Sequence, residues 1–218
     1  MTLGKGVYME NYVITIARNF GSGGRVVGAK LADELGIHSY ENRILTLAAK
    51  YSGRDEYDFV EVDEKLRGSY LHSQLSKIQK RFTPHPKSEE FKSDDRLFEF
   101  QAHIIRELPK LENCIIVGKC ADYVLRDYSR ILRVYIGSPL DYCIRRVMER
   151  LNVSAEEAEH MVLKSNGYRK DYYKYYTGGR NWRDPDNYDI MLNNAELGDE
   201  TSVELIKNAL YRKLHIEF

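Results

Sequence analysis

Tyr12-Val13-Ile14-Thr15-Ile16-Ala17-Arg18-Asn19-Phe20-Gly21-Ser22-Gly23-Gly24-Arg25 is the stretch on which the reading of this chain turns. Its first half, Tyr12 to Ala17, is a short β-branched run that predicts a strand. From Val26 to Leu35 the apolar residues Val27, Leu31 and Leu35 recur at helical spacing, so the glycines lie in a strand-to-helix turn. Such a turn brings backbone close to phosphate: glycine removes side-chain obstruction, amides point inward, and the helix N-terminus adds its positive dipole. A tight turn that binds nothing uses the same residues, and its surroundings must separate the two.

Working outward, Gly36 reads as the stop of the first helix, Ile37 to Tyr40 as a short second strand, and Asn42 to Tyr51 as a helix. Leu97, Phe100, Ile104, Ile105 and Leu108 mark an amphipathic helix that leads into a strand at Cys114 to Val117. A further strand covers Ile131 to Ile136. Ser138-Pro139-Leu140-Asp141 offers an N-cap, a proline at the first helical position and an acid in the first turn, predicting a helix to Leu151. Ser154 and Glu157 match a capping box that opens a helix reaching Tyr176, ahead of Gly178-Gly179. Tyr188 to Asn193 reads as the last strand, and Glu200 to Leu214 as the last helix, with Leu205, Ala209 and Leu210 in its buried stripe. Strands alternating with helices predict an α/β fold, a parallel sheet covered on both faces. Arg54 to Lys92 differs: mixed charge and Thr83-Pro84-His85-Pro86 predict helical pieces and a loop.

At 218 residues the chain is expected to form one domain, spanning 1–218. Lysine plus arginine and aspartate plus glutamate both number 33, so no overall charge recruits nucleic acid or an anionic membrane. Apolar runs such as Tyr12 to Ala17 fall well short of the ~20 residues of a membrane span, and no membrane partner is expected. One lysine precedes Tyr12 and no apolar stretch of signal-peptide length accompanies it, which predicts a cytoplasmic address. Cys114, Cys120 and Cys143 lack CxxC spacing and read as reduced, buried thiols. His38, His72, His85, His103, His160 and His215 show no HExxH spacing, so neither hydrolase nor metal-enzyme chemistry is indicated.

The run from Val13 to Arg25 resembles the opening of the cytidylate kinase-like family, a branch of the P-loop nucleoside monophosphate kinases. The similarity continues through Leu31 to Ile37, Val117-Gly118-Lys119-Cys120-Ala121-Asp122-Tyr123, Arg145 to Arg150, Tyr172 to Gly178, and Asp184-Pro185-Asp186-Asn187-Tyr188-Asp189. It leaves out the first ten residues and most of Arg54 to Phe91. The resemblance implies a three-layer P-loop kinase fold, an acceptor-binding helical insert at about 54–92 and a basic lid at about 145–183. It also implies ATP with Mg2+, and because the Walker hydroxyl is missing here the ion is expected to be held mainly through phosphates and water.

The departures matter as much. A Walker loop reads G-x-x-x-x-G-K-[ST], its lysine on the β/γ-phosphates and its hydroxyl on magnesium. In register with it, Gly24 stands at the lysine and Arg25 at the hydroxyl residue. Phe20, Gly21, Ser22, Gly23, Gly24, Arg25 and Val26 are the expected nucleotide contacts. Arg25 either forks onto phosphate oxygens or caps and pairs at the surface. Glu41 lies where related kinases carry an acid near the acceptor, and would hold a magnesium-bound water or a hydroxyl, or simply favour the start of the following helix. Arg43 is a candidate for an acceptor phosphate. Lys119 occupies a position usually held by an acceptor-reading arginine, and Asp122 either accepts from a nucleobase amine or pairs with Lys119.

Arg146, Arg150, Arg169 and Lys174 are the lid cations that would close over the transferring phosphoryl, with Lys170 beside them and Glu149, Glu156, Glu157 and Asp171 available to neutralise them instead. Tyr168, Tyr172, Tyr175 and Tyr176 share helical spacing and predict an aromatic face packed on the body. Interleaved with cations they could also stack single-stranded bases, but a neutral chain with one short basic stretch lacks the footprint of a nucleic-acid partner. The expectation is therefore an ATP-dependent kinase acting on a small acceptor of the CMP or dCMP type. The alternative is a weak or inactive nucleotide-binding regulator on a kinase scaffold.

Overall fold

The computed structural model describes residues 11–41 and 94–216. The expected helix at 42–51, Arg43, the 54–92 insert, His72, His85 and the side chain of Leu97 lie outside the described residues. β1 (Val13–Arg18) leads into α1 (Gly24–Leu35) and β2 (His38–Tyr40). After 94 come α2 (Asp94–Leu111), β3 (Cys114–Val117), the short α3 (Ala121–Val124), β4 (Ile131–Gly137), α4 (Leu140–Leu151), α5 (Ala155–Tyr176), β5 (Ile190–Asn193) and α6 (Asn194–Leu214).

The five strands are parallel in the order β2-β3-β1-β4-β5, with Val13 opposite Cys114 on one side and Ile131 on the other. Side chains alternate between the faces of a strand, and the packing follows that alternation. Ile14, Ile16, Ile115, Val117, Val134 and Ile136 pack under α1 and α6, through Val27, Leu31, Val203, Ile206 and Leu210. Val13, Cys114, Ile116 and Ile131 pack under α2, through Phe100, Ile104, Ile105 and Leu108. Each of these buried aliphatic side chains contributes about 1.5–3 kcal/mol of transfer free energy. The result is the three-layer P-loop kinase architecture. β1 sits at the centre, its connection returning toward β2 while that of β3 crosses to β4, and ligands of such sheets bind beyond the strand ends at that switch.

Several expected boundaries hold. Gly36 ends α1 at φ 63°, with its amide on the carbonyls of Ala32 and Asp33, and the Ser154/Glu157 capping box is complete in both directions. Others shift. The N-cap of α4 is Pro139, not Ser138, whose hydroxyl instead donates to the Gly137 carbonyl at 2.7 Å. The last helix begins at Asn194, because the Asn193 side chain accepts from the Ala195 amide, and it breaks at Gly198 (φ 75°) before resuming. Its buried stripe is Val203, Ile206, Leu210 and Leu214, whereas Leu205 is exposed. The last strand begins two residues late, since Pro185–Asn187 form a single 3-10 turn. Cys114, Cys120 and Cys143 are buried free thiols. No helix among the described residues is long and apolar enough to cross a membrane.

Candidate active site

The glycine turn is held from below and left open above. Ser22 is fully buried, and its hydroxyl lies 3.0 Å from the Asn19 carbonyl and 2.9 Å from that of Ile136 at the end of β4. The Asn194 side-chain amide donates to the Ser22 carbonyl at 2.9 Å, and the Phe20 amide donates to Asn166 Oδ1 at 2.8 Å. Gly21 (φ 84°) and Gly23 (φ 89°) are left-handed. A Cβ on Gly21 would stand 2.6 Å from the Cys143 carbonyl oxygen, so α4 rests directly on the turn. The amides of Gly24 and Arg25, in the first turn of α1, have no helical carbonyl to bond. A cleft of about 920 Å³ opens over them, lined among others by Gly21, Gly23, Gly24, Arg25, Val26, Glu41 and Arg150.

Cations gather where β1 and β3 end. Arg18 donates to Glu41 Oε1 at 2.7 Å, and Arg25 reaches Glu41 Oε2 at 3.0 Å. Arg25 is 69% exposed, so that pair contributes about 0–1 kcal/mol. Arg169, from α5, donates to the Arg18 carbonyl at 2.9 Å. Gly118, Lys119 and Cys120 wind left-handed in succession, at φ 80°, 59° and 53°, a conformation that costs a non-glycine residue about 1–2 kcal/mol. This turn carries Lys119 into the same cluster. Burial lowers the pKa of Lys119, and the neighbouring Arg18 lowers it further against a partial pull from Glu41. The same causes, in the same order, bring Arg169 down to about 10. Cations pressed together out of water in this way favour an anion.

A second cleft of about 480 Å³ lies beyond them, lined by Gly118, Lys119, Cys120, Asp122, Tyr168, Tyr172 and Trp182, with Arg18, Phe20 and Arg169 shared between the two. Asp122 is buried and does not pair with Lys119; it accepts from the Tyr173 hydroxyl at 2.6 Å. Burial raises the Asp122 pKa, outweighing the tyrosine and the nearby backbone amides. Tyr173 is thus the buried tyrosine of its segment. Tyr172 and Tyr176 pack on Phe98, with Tyr176 stacked on it at 3.8 Å between ring centroids, while Tyr168 and Tyr175 stay exposed.

The expected lid residues divide. Arg146 is held in a two-pronged pair with Asp199 of α6, each contact 3.2 Å, beside Gly23. Arg150 and Arg169 flank the Phe20 ring at 5.3 and 5.7 Å from its centroid. Lys174 lines a separate groove with Lys170, Arg180 and Arg183. Glu157 is engaged in its capping box. Arg18, Asn166, Asn194 and Asp199 were not candidates from sequence, yet Asn166 and Asn194 bond the loop, Arg18 precedes it and Asp199 lies beside Gly23. Among the described residues no group of three or more His, Cys, Asp or Glu side chains is placed to hold a metal ion. Beside the loop, Glu41 and Asp199 are paired to arginines, and Glu149 also lines the cleft.

Known proteins resemble this chain in sequence or in fold. Cytidylate kinase of Sulfolobus acidocaldarius is 27% identical over 121 residues, covering 53% of this chain; the chain spans 65% of the length of that curated relative. The crystal structure of an uncharacterized protein from Eubacterium ventriosum ATCC 27560 superposes with a TM-score of 0.66 at 25% identity, covering 92% of this chain and 98% of the other. A gluconokinase from Sinorhizobium meliloti 1021 (TM-score 0.51, 13% identity, 94% of both chains) and a shikimate kinase from Bacteroides thetaiotaomicron (0.50, 13%, 94% and 99%) share the fold. The model of the cytidylate kinase-like family matches residues 13–196, and the chain belongs to that family.

Proposed function

We propose that this protein transfers the γ-phosphoryl group of ATP to a small acceptor, a nucleoside monophosphate of the CMP or dCMP type. The observation that carries the reading is the pair of clefts meeting at Arg18, Phe20 and Arg169. ATP lies over Gly21 to Val26 with its phosphates on the loop amides, and the acceptor lies against Lys119 and Asp122. An acceptor phosphate is already an oxyanion, so the protein needs no strong base; positioning and positive charge do the work. Arg169 and Lys119 face the transferring group from the acceptor side, and Arg150 and Arg25 flank the nucleotide. Magnesium arrives with the phosphates of ATP and supplies charge neutralisation there. Three buried thiols suit a reducing compartment such as the cytoplasm. An ADP-release assay with CMP, dCMP, UMP, AMP and GMP tests the proposal: turnover is expected with CMP or dCMP, and ATP consumption with none of them would overturn it.

One feature favours a non-catalytic alternative, namely that Arg25 is occupied by Glu41 and Gly24 offers no ammonium. Calorimetry showing tight ATP binding without transfer would select that reading.

The lowered pKa of Lys119 has a measurable consequence. With its folded pKa below the ordinary 10.5, the cation destabilises the fold at lower pH, and that cost diminishes as pH rises from the folded value to the ordinary 10.5. A bound polyphosphate moves the pKa back up, so ATP binding is expected to take up protons in the alkaline range below 10.5. Calorimetry in two buffers of different ionisation enthalpy reads the uptake directly, and identical heats in both would count against Lys119 facing the nucleotide.

A further inference from the structure

Two departures from the Walker pattern fall at positions 18 and 24, and the structure links them. In G-x-x-x-x-G-K-[ST] the first glycine is six residues before the lysine. Counting back from Gly24, that place is held by Arg18, so the glycine and the cation have exchanged positions. A Cβ built on Gly24 would stand 2.6 Å from Arg18 Cβ and 3.1 Å from its Cγ. Backbone conformation does not exclude a side chain at 24, because Gly24 is not among the positive-φ glycines. Position 18 alone excludes it. Only one of the two can carry a side chain, and here the strand end carries it rather than the helix start.

The path of that side chain is equally constrained. Strand alternation places Arg18 on the α1 face, with Ile14 and Ile16. It then runs past Gly118, where an added Cβ would collide with Arg18 Nη1. Its guanidinium ends on Glu41 Oε1 and lines both clefts. Glycines at 24 and 118 thus form the two walls of a slot that fits one arginine.

We propose that Arg18 is the phosphate-binding cation of this loop, replacing the Walker lysine from the opposite side of the turn and gripping the terminal phosphate of ATP between the two clefts. This rests on the kinase reading above. Glu41 holds the guanidinium in place through one oxygen, leaving its remaining N–H groups for phosphate oxygens. Charge in this slot is shared with Lys119 and Arg169: after burial, repulsion from Arg18 is what most lowers the pKa of each.

The experiment uses the full chain as wild type, Arg18→Gly, Gly24→Lys, the double variant Arg18→Gly/Gly24→Lys, and Arg18→Met. Each is assayed for ADP release and for the melting-temperature rise given by ATP or ADP with magnesium. Arg18→Gly and Arg18→Met are expected to lose roughly 100-fold or more in turnover, the effect of removing one transition-state charge donor. They should also lose the larger shift with ATP than with ADP. Gly24→Lys should melt below wild type because of the overlap with Arg18. The double variant should melt above Gly24→Lys and regain at least about tenfold in turnover over Arg18→Gly, a non-additivity expected only of residues in contact. Turnover and ATP shift of Arg18→Met within about threefold of wild type would overturn the proposal, as would a double variant that melts no higher than Gly24→Lys. If wild type turns over none of the five acceptors, the kinase reading fails on its own. Arg18 is then judged by the ATP shift, whose loss in Arg18→Met supports its role and whose retention rejects it. Should Arg18→Gly not fold, Arg18→Met alone carries the same comparison.

Discussion

Gly21→Ala is expected to lower stability by about 2–5 kcal/mol and to abolish the thermal response to ATP. Two costs add. A left-handed backbone at φ 84° costs an L-residue about 1–2 kcal/mol. The new methyl would also lie 2.6 Å from the Cys143 carbonyl and 2.9 Å from its Cβ, atoms of a packed helix that cannot step aside, at a cost of about 1–3 kcal/mol. For a chain of this size the sum lowers the melting temperature by roughly 5–15 °C. Gly36→Ala is the matched control. It has φ 63° but nothing within 4 Å of its added Cβ, so only the conformational cost applies. Melting both variants side by side checks the argument, and equal losses would show that α4 does not bear on the loop.

Arg169→Met is expected to separate function from folding. On the proposed mechanism it removes a charge facing the transferring phosphoryl, and turnover should fall about 10²–10³-fold. Stability should barely change. The lost hydrogen bond to the Arg18 carbonyl is offset by relief of a buried cation whose pKa has been brought down to about 10. The sign follows from the same shift: a cation with a depressed folded pKa weakens the fold at neutral pH, and that penalty begins to fall as pH rises past about 10 toward the ordinary 12.5. The stability gap between variant and wild type should therefore move against the variant from pH 7 to pH 10.5. Urea denaturation at both pH values, beside initial rates at pH 7, measures the two effects. A large fall in both stability and rate would make Arg169 a structural residue.

Much of the framework was legible beforehand because it depends on local signals. β-branched runs mark β1, β3 and β4, Gly36 marks a stop, and Ser154 with Glu157 marks a helix start, each within a few residues of chain. The partners around the loop were not legible for the complementary reason. Asp199 is 53 residues from Arg146, and Asn194 is 172 from Ser22; nothing in either neighbourhood announces the other. Arg18 was in view as part of the motif, but a residue at a strand's last position can face either layer until the sheet order is known. The tyrosines misled in a related way. Helical spacing groups Tyr168 with Tyr172, Tyr175 and Tyr176, yet Asp122 beneath α5 determines that Tyr173 is the one drawn inside. The left-handed course of Lys119 and Cys120 has no signature in those residue types at all.

The close approach of positions 18 and 24 also bears on ancestry. A lineage moving by single replacements between a lysine-type loop and this one must pass through glycine at both places, with no cation in the turn, or through a side chain at both, with two carbons 2.6 Å apart. Neither halfway form is a sound phosphate grip. The two designs are therefore separated by a valley, and descendants on either side would be expected to keep whichever arrangement they inherited.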